Sequence, residues 1–263
     1  MQPADYAYLY ELEEDYWWFA GMRHITAALL DRMCPPGRDR LILDAGCGTG
    51  GMLSWLTRYA GNGRVVGIDL IDTALGFCRQ RNHEMITQAS VQTLPFAEST
   101  FDLLTSIDVL VQLDGEGSDQ TAIGEMYRVL KPGGLAFVRV AAHEWMKSDH
   151  DQALGTKHRY SLTELVGKMR QAGFKTLRET YANSIPMPLA MLRRLVLKPI
   201  GLASPGSDVK PLPPGWHWLN SAMTGVLRGE ASWLRRVDTK LLIGLSAICV
   251  AQKPSDGRST TAF

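Results

Sequence analysis

The run Leu41-Ile-Leu-Asp44-Ala-Gly46-Cys-Gly48-Thr-Gly50-Gly51 decides the fold. Leu41, Ile42 and Leu43 are consecutive apolar residues, the pattern of a parallel strand covered on both faces. That strand ends on Asp44. Gly46, Gly48 and Gly50 then supply backbone that tolerates positive φ and lets a ligand approach, before Met52 to Tyr59 resumes a helical apolar spacing. Arg64 to Leu70 reads as a second strand, with Asp69 near its carboxyl end where a carboxylate accepts from ribose hydroxyls. Strand, glycine turn, helix and strand together make a βαβ nucleoside site.

The identity of the nucleoside turns on Asp44. Gly46-x-Gly48-x-x-Gly51 also satisfies the dinucleotide fingerprint, with Asp69 near the expected interval. A carboxylate at the strand tip would repel a pyrophosphate, whereas it suits a ligand bearing an ammonium and a sulfonium. S-adenosylmethionine bears both. Three further stretches follow in order: Val65-Val-Gly-Ile-Asp69, Gln88-Ala-Ser-Val-Gln-Thr-Leu-Pro-Phe-Ala-Glu-Ser-Thr-Phe-Asp102 and Arg128-Val-Leu-Lys-Pro-Gly-Gly134. With the glycine turn they resemble the successive motifs of class I S-adenosylmethionine-dependent methyltransferases of the common small-molecule type.

That resemblance implies an α/β, Rossmann-like, doubly wound sheet of seven mostly parallel strands, with helices on both faces, an antiparallel last strand and a helical cap insertion. It implies cofactor contacts from Asp44, Gly46, Cys47, Gly48, Gly50, Asp69 and Leu70, from Ser90 and Val91 along the adenine, and from Ser106 and Ile107 beside the methionine part. Two positions depart from the family pattern. Ser90 stands where an acidic side chain usually accepts from the adenine amine, so backbone at Val91 has to contribute more. Gln112 stands where related sequences usually carry a histidine.

At 263 residues and 45% hydrophobic content the chain is long enough for one large α/β domain with an insertion. Its expected organisation is an N-terminal aromatic helical lid (1–34), the core (35–181), a cap insertion (182–240), the last strand (241–253) and a disordered tail (254–263). Twenty-eight basic and 27 acidic residues leave a net charge of +1, which advertises neither nucleic acid nor an anionic membrane. No flipped-base motif such as Asn-Pro-Pro-Tyr occurs. The four cysteines lack metal-ligand spacing and nothing resembles a signal peptide, so the reading is a cytoplasmic protein with reduced thiols, no metal and no stable membrane insertion, as monomer or homodimer.

The acceptor side is read from three stretches. Tyr16-Trp17-Trp18-Phe19-x-Gly21-Met22-Arg23 serves equally as a packing helix or a closing lid, and Tyr16, Trp17, Trp18 and Arg23 are taken as substrate residues. His143, His150 and His158 fall within sixteen residues beside Arg159 and Tyr160. They read as a solvated loop or as a site, with His150, His158 and Tyr160 the catalytic choices and His143 and Arg159 at the substrate. In the insertion, Arg193, Arg194 and Lys198 suggest a small basic amphipathic face, and Trp216, Trp218, Trp233, Met187, Met191 and Met223 an apolar pocket. The activity expected is methyl transfer to an O, N or C nucleophile of a small organic acceptor, leaving S-adenosylhomocysteine. The alternatives are a non-methylating S-adenosylmethionine-binding or cyclase-like protein and, further off, an NAD-type oxidoreductase.

Overall fold

The computed structural model describes residues 3–198, 200–202, 206, 208, 213, 215–236 and 239–255. A seven-stranded sheet runs in the order β3-β2-β1-β4-β5-β7-β6. Its strands are β1 (Leu41–Ala45), β2 (Arg64–Asp69), β3 (Ile86–Gln88), β4 (Phe101–Ile107), β5 (Leu130–Ala141), β6 (Lys175–Ala182) and β7 (Ser246–Gln252). Only β7 runs antiparallel to its neighbours, as the sequence reading expects. The strand order reverses between β1 and β4, and a crevice forms beyond the carboxyl ends at such a point.

Strand alternation builds two cores. Ile42, Leu103, Phe137 and Ile248 face one side, and their neighbours Leu43, Leu104, Val138 and Cys249 face the other. The second side is covered by α5 (Ser118–Val129) and α7 (Leu162–Gln171), through Ile123, Met126, Leu165 and Met169. The first is covered by α2 (Trp17–Leu30), α3 (Gly51–Ala60) and α9 (His217–Leu234), through Ile25, Leu29, Leu56, Leu227 and Leu234. Fully burying each such side chain contributes about 1.5–3 kcal/mol. The remaining helices are α1 (Pro3–Leu12), α4 (Asp72–Gln80), α6 (Asp149–Leu154) and α8 (Met187–Met191), the last continuing into a π-helical turn at Leu192–Leu197.

Two local features are set by pairing and packing. Lys131-Pro-Gly-Gly does not separate helix from strand: α5 stops at Val129 and β5 starts at Leu130, the extra chain being taken up by a register shift opposite Phe101 and Leu103 and by Gly133 at φ 82°. The insertion also divides. α9 packs into the sheet face so closely that a Cβ on Gly21 of α2 would lie 2.2 Å from Leu227 Cδ1. Asn220 of α9 accepts the Trp17 amide hydrogen (2.7 Å) and donates to the Asp15 carbonyl, which caps the start of α2. Of the expected tail, only 254 and 255 fall within the described residues.

Candidate active site

A cavity of about 460 Å³ opens beyond the carboxyl ends of β1, β2, β4 and β5. Its glycine-loop end is acidic. Parallel register sets Thr105 beside Asp44, and the Thr105 hydroxyl donates to Asp44 Oδ1 at 2.6 Å. Burial pushes the Asp44 carboxyl up to about 7, with further push from Glu13 and Asp69. Among the described residues no cation comes within ion-pair distance of it. Asp69 accepts from the Gly48 amide (2.9 Å) and the Ile71 amide (3.0 Å), so it shapes the loop as well as bordering the cavity; burial raises its pKa too.

The third carboxylate is Glu13, which the sequence shows only as one acid among several in the aromatic segment. Its Oε2 accepts from Thr49 Oγ1 (2.5 Å) and from the Gly51 amide at the start of α3 (3.0 Å), where the helix dipole favours negative charge. Arg81 at the end of α4 holds this segment down. Nearly buried, it donates to the Tyr10 and Thr49 carbonyls, pairs with Glu13 and Glu14, and lies 4.3 Å over the Tyr10 ring. Arg81→Ala is therefore expected to free α1 from α4 and speed chymotryptic cleavage at Tyr8 and Tyr10 by about tenfold or more, the rest of the chain staying resistant. Mass spectrometry of timed digests checks this.

The cofactor residues expected from sequence divide by geometry. Asp44, Gly46, Cys47, Gly48, Asp69, Leu70, Ser90, Val91 and Ile107 border the cavity; Gly50 and Ser106 do not. Gly50, at φ 90°, turns its α-carbon toward α4, where a Cβ would meet Cys78 Sγ and His83 at 3.1 Å; Gly51 borders the cavity in its place. Ser106 neighbours Ile107 on one strand, so the two side chains point to opposite faces, and Ser106 is fully buried with no hydrogen-bond partner among the described residues. Cys47 and Cys78 are both reduced and buried, their sulfurs 3.9 Å apart.

On the acceptor side, Trp18, Phe19, Met22, Arg23 and Thr26 of α2 border the cavity, following helical spacing. Tyr16 precedes that helix and is buried away from the cavity, and Trp17 packs into the core on its far face. Arg23 donates to the Glu13 and Glu14 carbonyls (2.6 and 2.5 Å), which ties the turn after α1 to α2. His143 stacks on Tyr181 with ring centroids 4.8 Å apart and does not reach the cavity. Arg159 does, its Nε on Asp151 at 2.6 Å and its Nη1 on the Ala142 carbonyl.

The three catalytic choices fall in three different surroundings. Tyr160 is a core residue whose hydroxyl donates to Asp119 (2.8 Å), and burial raises its pKa, away from any exchange with a substrate. His158 is half exposed on the outside, with Nε2 2.9 Å from Glu164. His150 alone borders the cavity. Its Nδ1 accepts the Asp208 amide hydrogen (2.9 Å), and burial, then Arg194, pushes its pKa down to about 3. The neutral ring therefore carries its proton on Nε2 and is a donor, not a base. Tyr160→Phe is expected to cost about 1 kcal/mol of stability, the worth of one hydrogen bond, in a denaturant titration, with cofactor affinity unchanged.

Several lining residues went unread in the sequence. Arg139 is the lone charge in the apolar strand Leu135-Ala-Phe-Val-Arg-Val140, which is itself a signal; it pairs with Asp108 at 2.5 Å, and both border the cavity. Arg194 turns inward onto Asp208 (2.5 Å), and Lys198 is nearly buried against Asp149 and Asp208. The basic face expected there is thus turned into the protein, while Leu189, Leu192 and Val196 are exposed. Trp216, Trp218 and Trp233 are exposed, Met187 and Met191 pack with Met146 and Trp18, and none of these five, nor Met223, borders the cavity. Among the described residues no group of three or more acidic, His or Cys side chains could hold a metal, and no helix is long and apolar enough to cross a membrane.

Residues 43–138 match the family model described as a methyltransferase domain. A malonyl-[acyl-carrier protein] O-methyltransferase of Enterobacter lignolyticus is 39% identical over 124 residues, 46% of this chain and 46% of that protein. A tRNA (carboxymethyluridine(34)-5-O)-methyltransferase of Arabidopsis thaliana is 34% identical over 135 residues, 50% of this chain and 30% of that protein. The chain thus spans less than half the length of either relative. Among solved structures, a complex between the Haloferax volcanii Trm112 methyltransferase activator and a methyltransferase superposes with a TM-score of 0.60 at 18% identity, covering 96% of each chain. That likeness is one of fold.

Proposed function

Because the chain belongs to the class I S-adenosylmethionine-dependent methyltransferases, we propose that it transfers a methyl group to an O, N or C nucleophile of a small organic acceptor. The observation that carries this reading is the buried, unpaired Asp44 at the acidic end of the cavity. A carboxylate held there without a cation is costly, and a cationic ligand relieves the cost. The loop leaves room for one: a Cβ on Gly48, at φ 54°, would meet nothing within 4 Å. In this reading Asp69 takes the ribose hydroxyls, Ser90 and Val91 the adenine edge, and Asp44 the methionine part, with 1–34 as the lid. S-adenosylmethionine, when bound, supplies a methyl group on a positively charged sulfur.

The side chains then have three tasks. Trp18, Phe19 and Met22 exclude water above the reacting atoms, the carboxylates hold the cationic partner, and the opposite wall aligns the acceptor. Alignment of two bound reactants can lower the barrier by about 7 kcal/mol or more without covalent help. A small acceptor suits a cavity of about 460 Å³.

The test is a screen of organic acceptors for S-adenosylhomocysteine release. Expected is turnover with at least one acceptor, lost in Asp69→Ala. Tight S-adenosylmethionine binding with no product from any acceptor would favour the cyclase-like alternative.

A further inference from the structure

Beyond β5, two strands along the sheet from Asp44, the cavity wall carries the opposite charge. Arg159, Arg194 and His150 border the cavity, and each is at least nine-tenths buried. The carboxylates that hold them, Asp151 and Asp208, stand behind and do not line the space. Among the described residues, four cationic side chains around Asp208 and its neighbours (Arg159, Arg193, Arg194 and Lys198) share three carboxylates (Asp149, Asp151 and Asp208). Positive charge is thus in excess there.

Donor capacity is in excess too. Among the described residues Arg194 donates only from Nε, and Arg159 only from Nε and Nη1, which leaves both Nη groups of Arg194 and the Nη2 of Arg159 without a protein acceptor. The Asp208 amide fixes the His150 proton on Nε2, which adds a neutral donor to the same wall. Two planar guanidiniums with unused N–H groups beside an imidazole N–H match the oxygens of a carboxylate or phosphate. An ammonium or a bare hydrocarbon finds no acceptor among these groups.

Resting on the methyltransferase reading, we propose that the acceptor carries an oxyanion, a carboxylate or a phosphate, seated on Arg159, Arg194 and His150. The cavity is then polarised along its length, with a cationic cofactor at the carboxylate end and an anionic acceptor at the guanidinium end. The two bound charges attract, and their attraction holds the nucleophile toward the sulfonium side. The guanidinium pair also rejects acceptors whose only charge is positive.

The test is calorimetry on the full chain saturated with S-adenosylhomocysteine, using hexanoate, hexyl phosphate, 1-hexanol and hexylamine as probes. At least one anion is expected to bind ten times or more tighter than the alcohol and the amine, and the two anionic arms tell carboxylate from phosphate. Arg194→Gln should lose about tenfold of the anion affinity, and Arg194→Lys, which keeps the charge without the fork, less. Arg194 is the better position to change, because Asp208 keeps Arg193 and Lys198, whereas removing Arg159 strands the buried Asp151. Equal or tighter binding of the alcohol or amine, or an unchanged anion affinity in both variants, overturns the proposal. The preceding titration with S-adenosylhomocysteine separates the two readings: if it fails, the cofactor assignment falls, and the anion preference is read in the same way on the ligand-free protein.

Discussion

S-adenosylmethionine affinity is expected to fall about 100-fold between pH 8 and pH 5, as protons displace the cation from Asp44. Burial holds the Asp44 carboxyl up at about 7, far above an ordinary aspartate near 3.9. Binding a cation there requires the ionised form, so each pH unit below 7 costs up to about tenfold and binding releases a proton. Asp69 and Glu13, also raised by burial, add in the same direction, and Arg139 opposes them. Asp44→Asn should bind weakly and flatten most of the slope, and buffers of different ionisation heat would reveal the missing proton. An unchanged slope in that variant would remove Asp44 from the binding site.

The same group has the opposite sign in the ligand-free protein. With its pKa higher folded than unfolded, the folded state binds more protons between about pH 4 and pH 7. Stability contributed by protonated Asp44 is complete below that window and lost as pH rises through it. Melting temperatures without ligand should therefore fall as pH is raised from 5 to 7.5, and S-adenosylmethionine should reverse the trend.

The loop, its flanking strands and Asp69 were legible in the sequence because a strand, a glycine turn and a helix start are all written in contiguous residues. The partners of that site were not. Thr105 meets Asp44 only through parallel pairing across 61 positions, and Glu13 reaches the start of α3 across 38. Ser106 and Ile107 looked equivalent as neighbours at a strand end, although the pleat lets only one of them face a given side. The helix around Arg194 misled for a different reason. Amphipathic reading puts charges outward, but here Asp149 and Asp208 draw Arg194 and Lys198 inward, while Leu189 remains 63% exposed. Long-range ion pairs of this kind leave no periodicity to read.

Glu230→Leu is expected to cost about 3–5 kcal/mol of stability, a melting-point fall of about 10 °C, because α9 is held by that carboxylate as much as by its apolar face. Glu230 is only 3% exposed, and it accepts from the amides of Asn183 (2.5 Å), Ser184 (3.0 Å) and Ile185 (3.3 Å) where the chain leaves β6. Leucine would leave all three donors without that acceptor, the Asn183 amide fully buried and the other two partly so. Glu230→Gln keeps one oxygen, for Ser184 and Ile185, but turns an N–H toward Asn183, so about 2 kcal/mol should be lost. Calorimetric melts of the two variants against the parent give the order. If both melt like the parent, α9 is held by packing alone. The same three amides fix the direction in which the chain runs on into α8 and the turn carrying Arg194. Glu230→Leu, assayed below its melting transition, should therefore weaken hexanoate or hexyl phosphate binding more than S-adenosylmethionine binding, since the three amides lie at the start of the segment that leads to Arg194 and none of them is in the glycine loop.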